Sequence, residues 1–259
     1  MNTPHRAIAA LLLLLPLAAR AAQKTADGGP SETAKPAATW EPTDRYEERT
    51  IEGWRVLVNK GFIKDQPTLC DQALTLLRFQ LYQIPRKVPA PAVAKLRKVT
   101  IWVEEKEPHH PCMAYHPSSG WLRNHNMNPD KGRCVELANA RNFLAWTRQQ
   151  PWMVLHELSH AYHDQFLPGG HGNPEIRAAY ERAKKEKLYD SVLRYNATTG
   201  RAYAMNNPME YFAETTEAFF GTNDFFPFVN AELRTHDPKM HELLRKIWSG
   251  QIAKGKGEK

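Results

Sequence analysis

Trp152-Met153-Val154-Leu155-His156-Glu157-Leu158-Ser159-His160-Ala161-Tyr162 is the stretch from which the rest of the chain is read. Pro151 suits the first turn of a helix, and Leu167-Pro168-Gly169-Gly170 is a strong stop, so a helix is predicted between them. Leu155, Leu158, Tyr162 and Phe166 give that helix its apolar faces. Inside it, residues 156 to 160 read HExxH. Histidines at i and i+4 stand one turn apart on one face, so both imidazoles can reach a single metal ion. A glutamate beside the first of them, Glu157, is then placed to act on a water at that metal. The pattern predicts a zinc hydrolase, most simply a peptidase.

Two histidines leave a catalytic zinc site one protein ligand short, with the fourth position kept for water. Extending the helix as HExxHxxGxxH fails, because His163 stands at the glycine position and Phe166 at the last histidine. Asp224 follows a Gly-Thr pair in Gly221-Thr222-Asn223-Asp224, but that stretch reads as a helix end and a turn. The better candidate is Asn207-Pro208-Met209-Glu210-Tyr211-Phe212-Ala213-Glu214. Asn207 is a good N-cap, Pro208 suits the first helical position, and Gly221 closes the helix. Glu210 and Glu214 then share a face, so one can ligate while the other orients a ligand. The plainer alternative is a capping box for Glu210 and a solvated face for Glu214 and Glu217.

HExxH followed by Glu-Tyr-Phe-Ala-Glu resembles the zincins of the anthrax lethal factor type, which include the secreted Pro-Pro endopeptidases. The resemblance spans roughly residues 130 to 225, with an unmatched gap between His160 and Glu210. It implies an α+β, zincin-like domain with a small twisted sheet over the HExxH helix and a mostly helical C-terminal half. It implies Zn2+ held by His156, His160 and Glu210, with Glu157 as general base. Tyr203, seven residues before Glu210, matches a tyrosine that faces the substrate and would donate to the oxyanion. In zincins generally the strand before the active-site helix edges the cleft and holds an extended peptide, a role that would fall to Cys134–Asn139. An internal strand is the other reading of that segment.

Around this centre, the chain divides into four parts. Residues 1–22 read as a secretory signal, with an apolar run from Ala7 to Ala19 and the small-x-small site Ala19-Arg20-Ala21. That run is too short, and broken by Pro16, for a membrane span. Residues 23–40 read as a disordered tether, 41–250 as one catalytic domain, and 251–259 as a solvated tail. The expected location is therefore secreted or periplasmic. Seven tryptophans and ten phenylalanines imply a packed interior. The formal charge of +7 falls largely in surface stretches such as Lys184-Lys185-Glu186-Lys187, and no base-reading motif appears. The expected partner is a peptide or protein substrate, with no nucleic acid and no stable membrane insertion.

In an oxidising compartment, Cys112 and Cys134 are expected to clamp the loop between them, with Cys70 a buried thiol in a helix. Asn196-Ala197-Thr198 is a glycosylation sequon, relevant only in a eukaryotic secretory pathway. Thr50–Val58 and Val99–Val103 read as strands, and Asp65–Tyr82 as a helix ended by Pro85. His109, His110 and His116 read as loop histidines between prolines. Pro174–Lys187 reads as an amphipathic helix, and Tyr189–Tyr195 with Arg201–Met205 as a hairpin delivering Tyr203. Two other readings stay open: a zincin-fold binding module without activity, and a zinc hydrolase of a non-peptide amide.

Overall fold

The computed structural model describes residues 40–252. The expected leader, all but the last residue of the tether and residues 253–259 of the tail lie outside them. The alternating stretch Thr50–Val58 is a hairpin rather than one strand. Strands β1 (Tyr46–Ile51) and β2 (Trp54–Asn59) pair antiparallel with Ile51 opposite Trp54. The two residues between, Glu52 and Gly53, both take positive φ (50° and 86°), as a two-residue turn matching strand twist requires. Asn59 then caps α1 (Lys60–Asp65) by accepting from the Phe62 N–H at 3.1 Å.

Helices α2 (Pro67–Lys87) and α3 (Ala90–Leu96) follow, then β3 (Ile101–Val103), β4 (Met113–Tyr115), α4 (Ser119–Asn124) and β5 (Val135–Leu137). Pro85 does not end α2 at Tyr82. Leu81 and Ile84 are buried in the core, and that burial carries the last turn to Lys87 despite the missing N–H. The sheet order is β1-β2-β3-β5-β4, with β2, β3 and β5 parallel and β4 antiparallel to β5. The strand expected at the edge, Cys134–Asn139, is therefore interior, and the edge is β4, in the segment expected to be a loop. Only pairing with β5 makes those three residues a strand. A short hairpin has no such help from its own sequence in a Pro- and His-rich segment.

One face of the sheet buries Val56, Val58, Ile101, Val103, Val135 and Leu137 in the main core. On the other, Tyr46, Leu57 and Trp102 form a small cluster, and the Lys131 ammonium lies 5.6 Å and 5.7 Å from the Tyr46 and Trp102 rings. Lys131 pairs with Glu104 and Glu136, and His116 Nε2 meets Glu136 Oε2 at 2.7 Å. His116 does lie in the loop just after β4, but it is buried there against Glu136 of this network. All three cysteines are free thiols, which corrects the expected Cys112–Cys134 bridge. Met113 pairs with Leu137 and Tyr115 with Val135, so Cys112 and Cys134 sit at opposite ends of the β4–β5 ladder. At a rise of ~3.3 Å per residue their Cα atoms are about 13 Å apart, beyond the ~7 Å a disulfide spans.

The C-terminal half is helical: α5 (Ala140–Trp146), α6 (Met153–Phe166), α7 (Pro174–Lys185), α8 (Pro208–Phe220), α9 (Asn230–His236) and α10 (Pro238–Trp248). A small hairpin of β6 (Val192–Leu193) and β7 (Thr199–Gly200) carries the sequon at its exposed turn. The architecture is mixed α+β, and among the described residues no helix is long and apolar enough to cross a membrane.

What matters for function is how α6 and α8 are held together. Trp248 of α10 stacks on Tyr162 of α6 (centroids 4.4 Å) and on Phe212 of α8 (5.9 Å), and its Nε1–H donates to Thr216 Oγ1 at 3.3 Å. Each such ring pair contributes ~0.5–1.5 kcal/mol beyond the area it buries. At the other end of the pair, Gly221 lets the Trp152 indole close against the end of α8: a Cβ there would lie 1.9 Å from Trp152 Nε1. Gly221→Ala is accordingly expected to overpack this contact and lower stability by ~1–3 kcal/mol, with loss of metal affinity as the helices part. Thermal unfolding and metal titration of the variant check this, and wild-type values in both would refute the contact's role.

Candidate metal centre

Helix α6 puts His156 and His160 on one face, their rings 4.8 Å apart and nearly perpendicular. Helix α8 brings up Glu210. Its start is set by Asn207, whose Oδ1 accepts from the Glu210 N–H at 2.9 Å. The carboxylate does not fold back to complete a capping box. It turns to the imidazoles, with Oε2 3.1 Å from His156 Nε2 and 3.3 Å from His160 Nε2. The two Nε2 atoms are 3.1 Å apart. These three donor atoms form a nearly equilateral triangle, and the group can hold a metal ion.

Which carboxylate orients His156 differs from the expectation. Glu217 Oε1 accepts from His156 Nδ1 at 2.7 Å, whereas Glu214 Oε1 is 3.9 Å away. With Nδ1–H donated to Glu217, the lone pair falls on Nε2, the atom that faces Glu210. Both glutamates are buried (2% and 3% exposed for Glu214 and Glu217), so neither belongs to a solvated face. The signal for Glu217 was present: positions 210, 214 and 217 follow the i, i+4, i+7 stripe of one helix face.

Without a cation these groups are tied to one another. Burial disfavours the His156 imidazolium, but hydrogen bonds to Glu210 and Glu217 outweigh it and raise its pKa well above the usual histidine range. Burial would raise Glu210, yet the charge of His160 and the hydrogen bonds from both imidazoles hold it far below the usual carboxylate range. A cation binding here therefore displaces a proton. Behind His156, burial raises Glu214 well above its ordinary value, and the Asp224 and Glu217 charges add to it. Asp224 is lifted to about 7 by burial and then by Glu217, while accepting from Gln150 Nε2 at 3.4 Å. It is not among the ligand-atom groups that could hold an ion. His163 is buried against His171 and Phe212, and burial, then His171, lowers it to about 3.

Glu157 lies next to the first histidine and is held by the sheet. Ala138 N–H donates to Cys112 O at 2.7 Å and His116 N–H to Cys134 O at 3.0 Å, so these residues of the β4 region aim at β5. Alternation turns the backbone groups of Met113 and Tyr115 outward, and the Tyr115 N–H donates to Glu157 Oε2 at 2.8 Å. Tyr203 sits in a 3-10 turn (Tyr203–Met205) leading into α8, not in a hairpin strand. The turn is fixed by the Tyr180 hydroxyl donating to Met205 O at 2.9 Å. Burial first, then the Glu210 charge, push the Tyr203 hydroxyl above its ordinary value, so it stays a proton donor.

If Glu217 is the orienting carboxylate, Glu217→Gln is expected to weaken metal binding ~10–100-fold and Glu214→Gln much less. Competition against a chromophoric chelator measures both, and equal losses would return the role to Glu214. No family model, curated protein or solved structure matches this chain.

Proposed function

We propose that this chain is an exported zinc metallopeptidase with a zincin-like domain, in which His156, His160 and Glu210 hold the ion. The observation that carries the reading is the donor triangle, with edges of 3.1, 3.1 and 3.3 Å. Donors at zinc bond lengths of ~2.0–2.1 Å in a tetrahedron stand about 3.3–3.4 Å apart. Two imidazoles and one carboxylate are also the donor set of a hydrolytic zinc site. A zinc ion held there supplies Lewis acidity, lowering the pKa of a water and polarising a carbonyl.

The chain's own groups divide the remaining work. Glu157 takes the water's proton during attack and returns it to the leaving amine. The Tyr115 N–H holds one oxygen of that carboxylate in place. Tyr203 remains protonated and donates to the oxyanion, a contribution typically worth ~3 kcal/mol. With the Tyr115 N–H taken by Glu157, the remaining outward groups of Met113 and Tyr115 offer an extended peptide the edge that Cys134–Asn139, being interior, does not. A base placed beside two ligands favours hydrolysis over a silent binding module. The backbone edge beside it favours a peptide over another amide.

Incubation of the zinc-loaded protein with a peptide library, read by mass spectrometry, tests the proposal. Cleavage that a chelator stops and added zinc restores is expected. Absence of cleavage across the library by protein carrying one zinc per chain would overturn it.

A further inference from the structure

A cavity of about 420 Å³ opens at the N-terminal end of α6, between the residues before Pro151, the β6–β7 hairpin and the loop after Gly221. Its volume lies within the ~300–1,000 Å³ usual for small-ligand sites. Arg148, Arg194, Asn223, Leu193, Tyr195 and Phe228 line it. Leu193 and Tyr195 are large apolar side chains left 43% and 50% exposed at its rim.

Its chemistry is uneven in an informative way. Among the described residues, neither Arg148 nor Arg194 has a carboxylate within ion-pair distance, whereas Arg182 and Arg245 of the same half are paired. Arg194 is nevertheless set in place. Its guanidinium lies 5.1 Å from the Phe225 ring centroid, and Gly200 leaves it room, since a Cβ there would stand 2.7 Å from Nη2. Its buried Nε has no hydrogen-bond partner. Asn223, only 5% exposed, donates through Nδ2 to Phe225 O at 3.0 Å, while its Oδ1 accepts from nothing. A fixed guanidinium without an anion asks for a carboxylate, and an idle amide oxygen asks for an N–H beside it. The apolar rim asks for a hydrocarbon side chain attached to both.

A single chemical unit meets all three demands: the last residue of a peptide. We propose that this cavity binds a free peptide C-terminus, its carboxylate on Arg194 and Arg148, its final N–H on Asn223 Oδ1, and an apolar side chain against Leu193, Tyr195 and Phe228. The site is separate from the metal donors and does not depend on the chain being a peptidase. It is connected to them, because Tyr195 N–H donates to Asp224 O at 2.8 Å, and Asp224 lies against Glu217 behind His156.

Titration calorimetry of the full metal-loaded chain with N-acetyl-Leu-Leu tests this, with its C-terminal amide and sodium acetate as comparison probes. Saturable binding of the acid is expected, with the amide about tenfold weaker for loss of the charge-assisted hydrogen bonds. Arg148→Gln, on an exposed loop, and Arg194→Gln are each expected to weaken the acid by a similar factor while the metal content stays at the wild-type value. The Arg148 variant keeps the test sound should the Arg194 variant misfold. Equal affinity for acid and amide, acetate binding as tightly as the dipeptide, or no change in a folded Arg148→Gln protein would each overturn the proposal.

Discussion

A Glu157→Gln protein is expected to carry its metal normally and to cleave no peptide. The substitution keeps the size of the side chain and leaves all three donor atoms untouched, since the triangle is made by His156, His160 and Glu210. What it removes is the group that can take a proton. General-base assistance typically accounts for ~10²–10⁴ of a rate, and in the proposed mechanism the same carboxylate also returns the proton to the leaving amine. The amide can present its NH2 where the carboxylate accepts from the Tyr115 N–H, turning an attraction of 2.8 Å into a repulsion. Metal content by mass spectrometry beside a peptide cleavage assay separates the two properties. Full activity in the variant would remove Glu157 from the mechanism; full metal loss would mean that the sheet contact supports the donors rather than the base.

Glu210→Ala is expected to have the opposite signature, with loss of the ion itself. Within the His156, His160 and Glu210 group this carboxylate is the one donor from α8, so its removal leaves two imidazoles on one helix, fewer than the three protein ligands a catalytic site uses. The fall in affinity should exceed the ~100-fold upper range for a carboxylate that merely orients a ligand. The helix should survive, because Asn207 caps it through the Glu210 backbone N–H and not through the side chain. Metal affinity at matched free zinc, read beside circular dichroism, checks both halves. Unchanged occupancy with an unchanged fold would dismiss the glutamate ligand.

The helices that carry the centre were legible because their signals are local. Pro151, Asn207, Pro208 and Gly221 sit where helix ends need them, and HExxH declares its own geometry at a spacing of four. Strand β4 was not legible. Met113, Ala114 and Tyr115 lie among prolines and histidines, and only pairing with Val135–Leu137 makes them a strand. The interior place of β5 follows from the same non-local fact. Glu217 was passed over for a related reason: a glutamate on a helix is normally solvated, and nothing in its own neighbourhood announces that His156 lies opposite. The expected disulfide failed because sequence distance says nothing about which end of a ladder each cysteine occupies. Pro85 shows burial overriding a breaker.

The stacking of Trp248 between Tyr162 and Phe212 also bears on when the protein becomes competent. During synthesis the histidines leave the ribosome first, Glu210 later, and the Trp248 indole that holds their helices together later still. Until that last helix docks, the donors belong to two segments with little to keep them in register. On the proposed function, a newly made chain is therefore expected to be unable to capture zinc or cut its neighbours until Trp248 has emerged and docked. Chains stopped before Pro238 are expected to take up no metal even though every ligand is present. Stoichiometric zinc in such chains would show that the clasp is dispensable. On the proposed function, the arrangement acts as a built-in delay that ties the onset of activity to the docking of α10.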